Sequence, residues 1–109
     1  MIALVDSGSG NLRSVHKALE QFHPQVRITQ APTDLLSAEK IVLPGVGAFR
    51  DGMRGLETRG LVAPIVAAIE KGIPLLGICV GMQVLFEGGE EHGFTPGLGL
   101  LPGRVRRFP

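Results

Sequence analysis

The chain contains one cysteine, Cys79, in the stretch Leu75-Leu76-Gly77-Ile78-Cys79-Val80-Gly81-Met82-Gln83. An ionised thiol is a nucleophile and can attack a carbonyl carbon. The apolar run from Ile73 to Ile78 reads as a buried strand, and Val80 to Phe86 reads as an amphipathic helix. Cys79 therefore falls at a strand-to-helix turn with a glycine two residues away on each side. That spacing is the pattern of a nucleophile elbow, where the turn is too tight for neighbouring Cβ atoms. A helix starting at Val80 would aim its N–H groups at the sulfur and favour the thiolate. The competing reading is a cysteine packed as a small hydrophobe, which lone cysteines often are.

Acyl chemistry also needs donors for the developing oxyanion. The residue after the nucleophile, Val80, supplies one N–H. The glycine loop Pro44-Gly45-Val46-Gly47 could supply the other, because Gly45 and Gly47 let the backbone approach and reorient. The same loop is also compatible with an ordinary strand-to-helix turn. The three histidines give no convincing base. His16 falls on the polar side of a helix, His23 before Pro24 is a helix stop, and His92 follows the acidic, solvated run Glu87 to Glu91. No ligand spacing suggests a metal site. Gly8-Ser9-Gly10 lacks the third glycine of a dinucleotide loop, Arg13 standing in its place, and no P-loop occurs, so no cofactor is expected. Arg104, Arg106 and Arg107 form a basic cluster that reads as a solvated strand edge or a partner contact.

The elements that must position these groups alternate. Strands are expected at Ile2 to Asp6, Val26 to Thr29, Lys40 to Leu43 and Pro74 to Ile78. Helices are expected at Asn11 to Phe22, Thr33 to Glu39 and Leu61 to Lys71. Phe49 to Arg59 reads as one or two helical turns weakened by Gly52 and Gly55. Glu87 to Pro96 reads as a polar loop, and the tail as strand or irregular structure. This order predicts an α/β fold, an open and mostly parallel sheet with helices on both faces, of flavodoxin-like type. In such a sheet the loops Ser7 to Gly10, Pro44 to Gly47 and Gly77 to Gly81 all leave the carboxyl ends of strands and converge.

With 109 residues, 44% of them hydrophobic, the chain can form one compact core. A net charge of +1 gives no reason to expect nucleic acid or a membrane surface as partner. One cysteine cannot form an internal disulfide, and residues 1–6 have no signal-peptide character, so a reducing cytoplasm is the expected compartment.

Gly77 to Gln83 together with Pro44-Gly45-Val46-Gly47-Ala48-Phe49 resembles the class I glutamine amidotransferases. Adding Gly8 to Val15 and Gly97 to Gly103 narrows the resemblance to the glutaminase subunits of imidazole glycerol phosphate synthases, in histidine biosynthesis. The resemblance implies that Cys79 attacks the side-chain amide of glutamine through a thioester. It implies that Gly45, Val46, Gly47 and Val80 form the oxyanion and glutamine site, with Gln83 beside it. It also implies a hetero-oligomer with a (β/α)₈-barrel cyclase that receives the ammonia. Two positions depart from the family: Ser7 stands where a tyrosine is usual, and no histidine is followed two residues on by glutamate. Residues 1–109 are thus expected to be the amino-terminal part of a single amidotransferase domain. Another cysteine-elbow hydrolase, or a truncated non-catalytic module, are the alternatives.

Overall fold

A computed structural model describes residues 1–8 and 11–109; Ser9 and Gly10, from the expected turn after the first strand, lie outside the described residues. Four parallel strands, β1 (Ile2–Val5), β2 (Val26–Thr29), β3 (Lys40–Gly45) and β4 (Leu75–Cys79), form one sheet in the order β2-β1-β3-β4. That order matches the first four strands of the flavodoxin-like arrangement. Side chains alternate across it. Ile2, Leu4 and Val42 face α1 (Leu12–Glu20), meeting Leu12, Val15 and Leu19. Ala3, Val5, Ile41 and Leu43 face the opposite layer of α2 (Pro32–Ser37), α3 (Phe49–Thr58) and α4 (Val62–Glu70). Both faces carry helices, as a parallel sheet requires.

Local chemistry sets the helix ends. The Asn11 side chain accepts from Ser14 N at 3.2 Å and caps α1. Pro32 opens α2, where its missing N–H is harmless. Asp34 then ties α2 to β2: it accepts from the Thr29 hydroxyl at 2.6 Å and from Arg27 Nη1 at 2.8 Å. The Thr29 hydroxyl, with the Arg27 guanidinium behind it, holds the Asp34 carboxyl below its ordinary value.

Three expectations change. The helix α3 is a full ten residues despite Gly52 and Gly55. Both glycines serve packing: a Cβ on Gly52 would lie 2.6 Å from Val80 Cγ1, and one on Gly55 would lie 2.3 Å from the Ser7 carbonyl oxygen. The helix after Cys79 does not reach Phe86. It is a single turn, α5 (Val80–Gln83). The chain then enters a second sheet, β5 (Phe86–Gly89), β6 (Thr95–Pro96) and β7 (Leu101–Val105), ordered β6-β5-β7, where a polar loop was expected. Gly88 and Gly89 are poor strand formers by propensity. Here they make room for two aromatic rings: a Cβ on Gly88 would lie 2.3 Å from the Phe94 ring, and one on Gly89 would lie 2.5 Å from the Phe49 ring.

Strand β4 pairs with β3 alone among the described residues, and its Leu76 is 57% exposed. Leu43, one strand inward, is 1% exposed. Leu43→Ala is expected to cost about 2–5 kcal/mol in urea unfolding and Leu76→Ala less than about 1 kcal/mol. The lowered carboxyl of Asp34 contributes stability above the unfolded carboxylate pKa, and this is lost as pH falls through the folded value. Asp34→Asn should therefore lower stability at neutral pH and flatten the acid limb of a stability-against-pH profile.

Candidate active site

The site is built where β3 and β4 end side by side, with Gly45 and Cys79 as register partners. Cys79 has φ 56° and ψ −122°, and it is the one non-glycine residue with positive φ among the described residues. Left-handed backbone at a residue bearing a Cβ costs on the order of 1–3 kcal/mol and persists only where surrounding packing imposes it. Here the packing is visible. A Cβ on Gly81 would lie 1.8 Å from the Leu43 carbonyl oxygen, and one on Gly77 would lie 2.6 Å from Met82 Cα. Only glycine lets α5 sit this close to β3 and fold back this tightly over β4. The thiol is left exposed and not in the core, as the elbow reading required. A single-turn helix sums few peptide dipoles. The individual N–H groups of its first residues, not a long macrodipole, are therefore what the elbow offers.

The glycine loop lies alongside. Gly45 is buried against α5, where a Cβ would meet Gly81 N at 3.1 Å. Val46 is 55% exposed. Gly47 has φ +94° and open space around its Cα, so glycine is needed there for conformation and not for clearance. Ser7, Gly45, Gly52, Val80 and Gly81 line one cavity of about 10 Å³, too small for more than a single water. The ends of β1, β3 and β4 thus close around a common point, as the parallel topology predicted. Gln83, in the last position of α5, is partly buried, and its Oε1 is shut from solvent with no hydrogen-bond partner among the described residues.

No histidine hydrogen-bonds to Cys79 among the described residues. His16 Nε2 lies 3.1 Å from the Val26 carbonyl oxygen, and its Nδ1 is 3.3 Å from Glu20. His23 Nδ1 accepts from Gln25 N at 3.0 Å in the connection into β2, and His92 is exposed. One carboxylate answers two of the three clustered arginines: Glu90 accepts from Arg104 at 2.9 Å and forms an ion pair with Arg106 at 3.0 Å, and Arg104 lies 4.7 Å over the Phe94 ring. Arg104, ahead of Arg106, holds the Glu90 carboxyl below its ordinary value.

One residue was missed by sequence reasoning. Glu91 was assigned to a solvated acidic face, yet its Oε1 accepts from Phe49 N, the first residue of α3, at 3.2 Å. The available signal was negative: Ala48, at the cap of α3, has no side chain able to cap a helix, which leaves the first N–H groups to water or to an acceptor from elsewhere in the chain.

Comparison with known proteins fits this geometry. Residues 3–92 match the family model described as glutamine amidotransferase class-I. The chain is 54% identical over all 109 residues to the imidazole glycerol phosphate synthase subunit HisH of Desulfitobacterium hafniense (strain Y51), covering 52% of that protein. It is 55% identical over 108 residues to the HisH subunit of Geobacter metallireducens, covering 99% of this chain and 51% of that one. The chain thus spans about half the length of the curated relatives it matches. A crystal structure described as a glutamine amidotransferase superposes with a TM-score of 0.79 at 21% identity, over 98% of this chain and 57% of the other, a likeness of fold.

Backbone strain at Cys79 predicts opposite effects for two small substitutions. Cys79→Gly relieves the positive φ and should raise stability by about 1 kcal/mol in chemical denaturation. Gly81→Ala drives a methyl into the Leu43 carbonyl and should cost about 3 kcal/mol or more.

Proposed function

This chain belongs to the class I glutamine amidotransferases, and from that premise we propose that it carries the nucleophile half of a glutaminase that feeds ammonia to a cyclase in histidine biosynthesis. The observation that supports this reading best is the strained, exposed Cys79 set beside a glycine loop in paired register.

The chemistry follows from that placement. The Cys79 thiolate adds to the side-chain carbonyl carbon of glutamine, and the carbonyl π electrons move onto oxygen. The N–H of Val80 and an N–H of the Gly45–Gly47 loop stabilise this oxyanion. Collapse breaks the C–N bond. The nitrogen takes a proton and leaves as ammonia, and a thioester remains on Cys79. Water then adds to the thioester carbon, the C–S bond breaks, and glutamate is released with the thiol restored. The proton transfers need a base that acts as acid in turn. We assign it to a histidine, oriented by a glutamate, outside residues 1–109. Gln83, at the end of α5, lies beside the glutamine site in this reading.

The ammonia has a destination in this reading. The relatives are named as subunits of imidazole glycerol phosphate synthase, and we extend that role to this chain: a (β/α)₈-barrel cyclase subunit docks on it and takes up the ammonia. A protein–protein handover from one soluble catalyst to another suits a cytoplasmic heterodimer. The exposed Leu76, with β4 paired to β3 alone among the described residues, favours a sheet that continues in the rest of the domain.

In the full-length protein, Cys79→Ala and Cys79→Ser should abolish glutamine hydrolysis, measured as glutamate release, while circular dichroism stays unchanged. Appreciable release by Cys79→Ala would refute the assignment of the nucleophile. Residues 1–109 alone should release no glutamate, and normal turnover by them would refute an external base.

A further inference from the structure

Arg59 follows α3 and folds back along it. Its Nη1 donates to the Gly55 carbonyl oxygen at 3.1 Å and to Thr58 Oγ1 at 3.4 Å. That sets the guanidinium over the bare Cα of Gly8, just after β1, where an added Cβ would lie 2.2 Å from Nη2. One edge of the guanidinium is thus tied to the helix. Its Nη2 and Nε have no hydrogen-bond acceptor among the described residues. Beside it is a hollow of about 280 Å³, lined by Gly8, Asp51, Arg54, Thr58 and Arg59. Arg27, Arg104 and Arg106 each meet a carboxylate at ion-pair distance, whereas Arg54 and Arg59 meet none among the described residues. Asp51 is the one carboxylate in the lining, so two cations against one anion leave the hollow net positive. Ser7 completes the lining, and Ser7 also lines the small cavity under the elbow with Gly45 and Val80. The hollow therefore lies at the carboxyl end of β1, at the same end of the sheet as Cys79.

We propose that this hollow is a docking point for a carboxylate side chain of the cyclase subunit, held by Arg54 and Arg59. This rests on the reading that a cyclase takes up ammonia released at Cys79. A partner that collects ammonia from that thiol must cover the carboxyl ends of β3 and β4. The end of β1 is two strands from β4, about 10 Å. That is well inside the roughly 800 Å² that each partner of a stable complex covers. A guanidinium presents parallel N–H groups to both oxygens of a carboxylate. Arg59 offers its unbonded edge already oriented, because Nη1 is fixed on Gly55, so little side-chain freedom is lost on docking.

The test uses the full-length protein and its cyclase subunit. Titration calorimetry gives Kd for the wild type, Arg54→Ala, Arg59→Ala and a control, Lys40→Ala, at the start of β3 and so at the opposite end of the sheet. Each arginine variant should raise Kd about tenfold, and Lys40→Ala should leave it within about twofold. The loss of affinity between about 50 mM and about 300 mM salt should be shallower in both arginine variants than in the wild type. The exposed Arg54 side chain donates no hydrogen bond among the described residues, so Arg54→Ala reads docking even if Arg59→Ala disturbs the chain after β1. A zero-length carbodiimide cross-link identifies the occupant. In Arg59→Lys, position 59 should couple to an aspartate or glutamate of the cyclase, located by mass spectrometry. Coupling of position 59 to Asp51 alone overturns the proposal, and so does an unchanged Kd in both arginine variants. Binding of inorganic phosphate that needs Arg59, with cyclase affinity indifferent to it, makes the hollow a free-anion site and overturns it equally. Failure of the wild type to bind the cyclase at all removes the partner reading and this proposal with it, a result distinct from normal wild-type binding that ignores both arginines.

Discussion

Everything at the reactive end of this molecule depends on one close approach, that of the Gly81 backbone to the carbonyl of Leu43. No atom larger than hydrogen fits between them. Because α5 can lie that near β3, the chain must reverse direction within a single residue on leaving β4, and Cys79 absorbs the reversal with a positive φ. The strain is local, and its support is spread over the buried core beneath: Leu43 in β3, Val80 and Val84 around α5, and Leu56 in α3. Tight interiors transmit such constraints because their atoms have nowhere to relax.

The same economy of space recurs around the site. Gly52 admits the Val80 side chain, Gly55 admits the Ser7 carbonyl, and Gly89 admits the Phe49 ring. Each glycine brings a backbone nearer than a methyl group would allow, and each contact joins α3 to a different part of the chain: α5, the residues after β1, and β5. The result is a rigid base under Cys79 and an adjoining loop whose outer residues, Val46 and Gly47, remain exposed. A support that is stiff below and accessible above suits the proposed attack of Cys79 on an amide carbonyl, in which a substrate must enter and ammonia depart.

Much of this was legible in the amino-acid order. The four strands of the main sheet and the helices between them follow from period and punctuation, and a parallel sheet places the three strand-end loops together before any atom is located. The elbow was legible because glycine at positions 77 and 81 has few other reasons to flank a cysteine between strand and helix. The second sheet was not. Glu87 to Pro96 is rich in glycine and acid, residues that propensity assigns to loops, and its strands exist because the rings of Phe49 and Phe94 fill the space those glycines leave. The length of α3 was understated for the same reason, its glycines being read as breaks when they are points of contact.

By itself the sequence determined where the single thiol falls, at the junction of strand and helix, which strand-end loops must lie near it, and the α/β class of the scaffold, since these depend on residue type and on spacing along the chain. Tertiary structure alone decided the conformation of Cys79, the shortening of the helix after it, and the attachment of Glu91 to the start of α3. These are set by contacts between residues far apart in order, such as Gly81 with Leu43 or Phe49 with Gly89. Nothing in the local pattern encodes such contacts, because the free energy that selects them arises only when distant segments compete for the same volume.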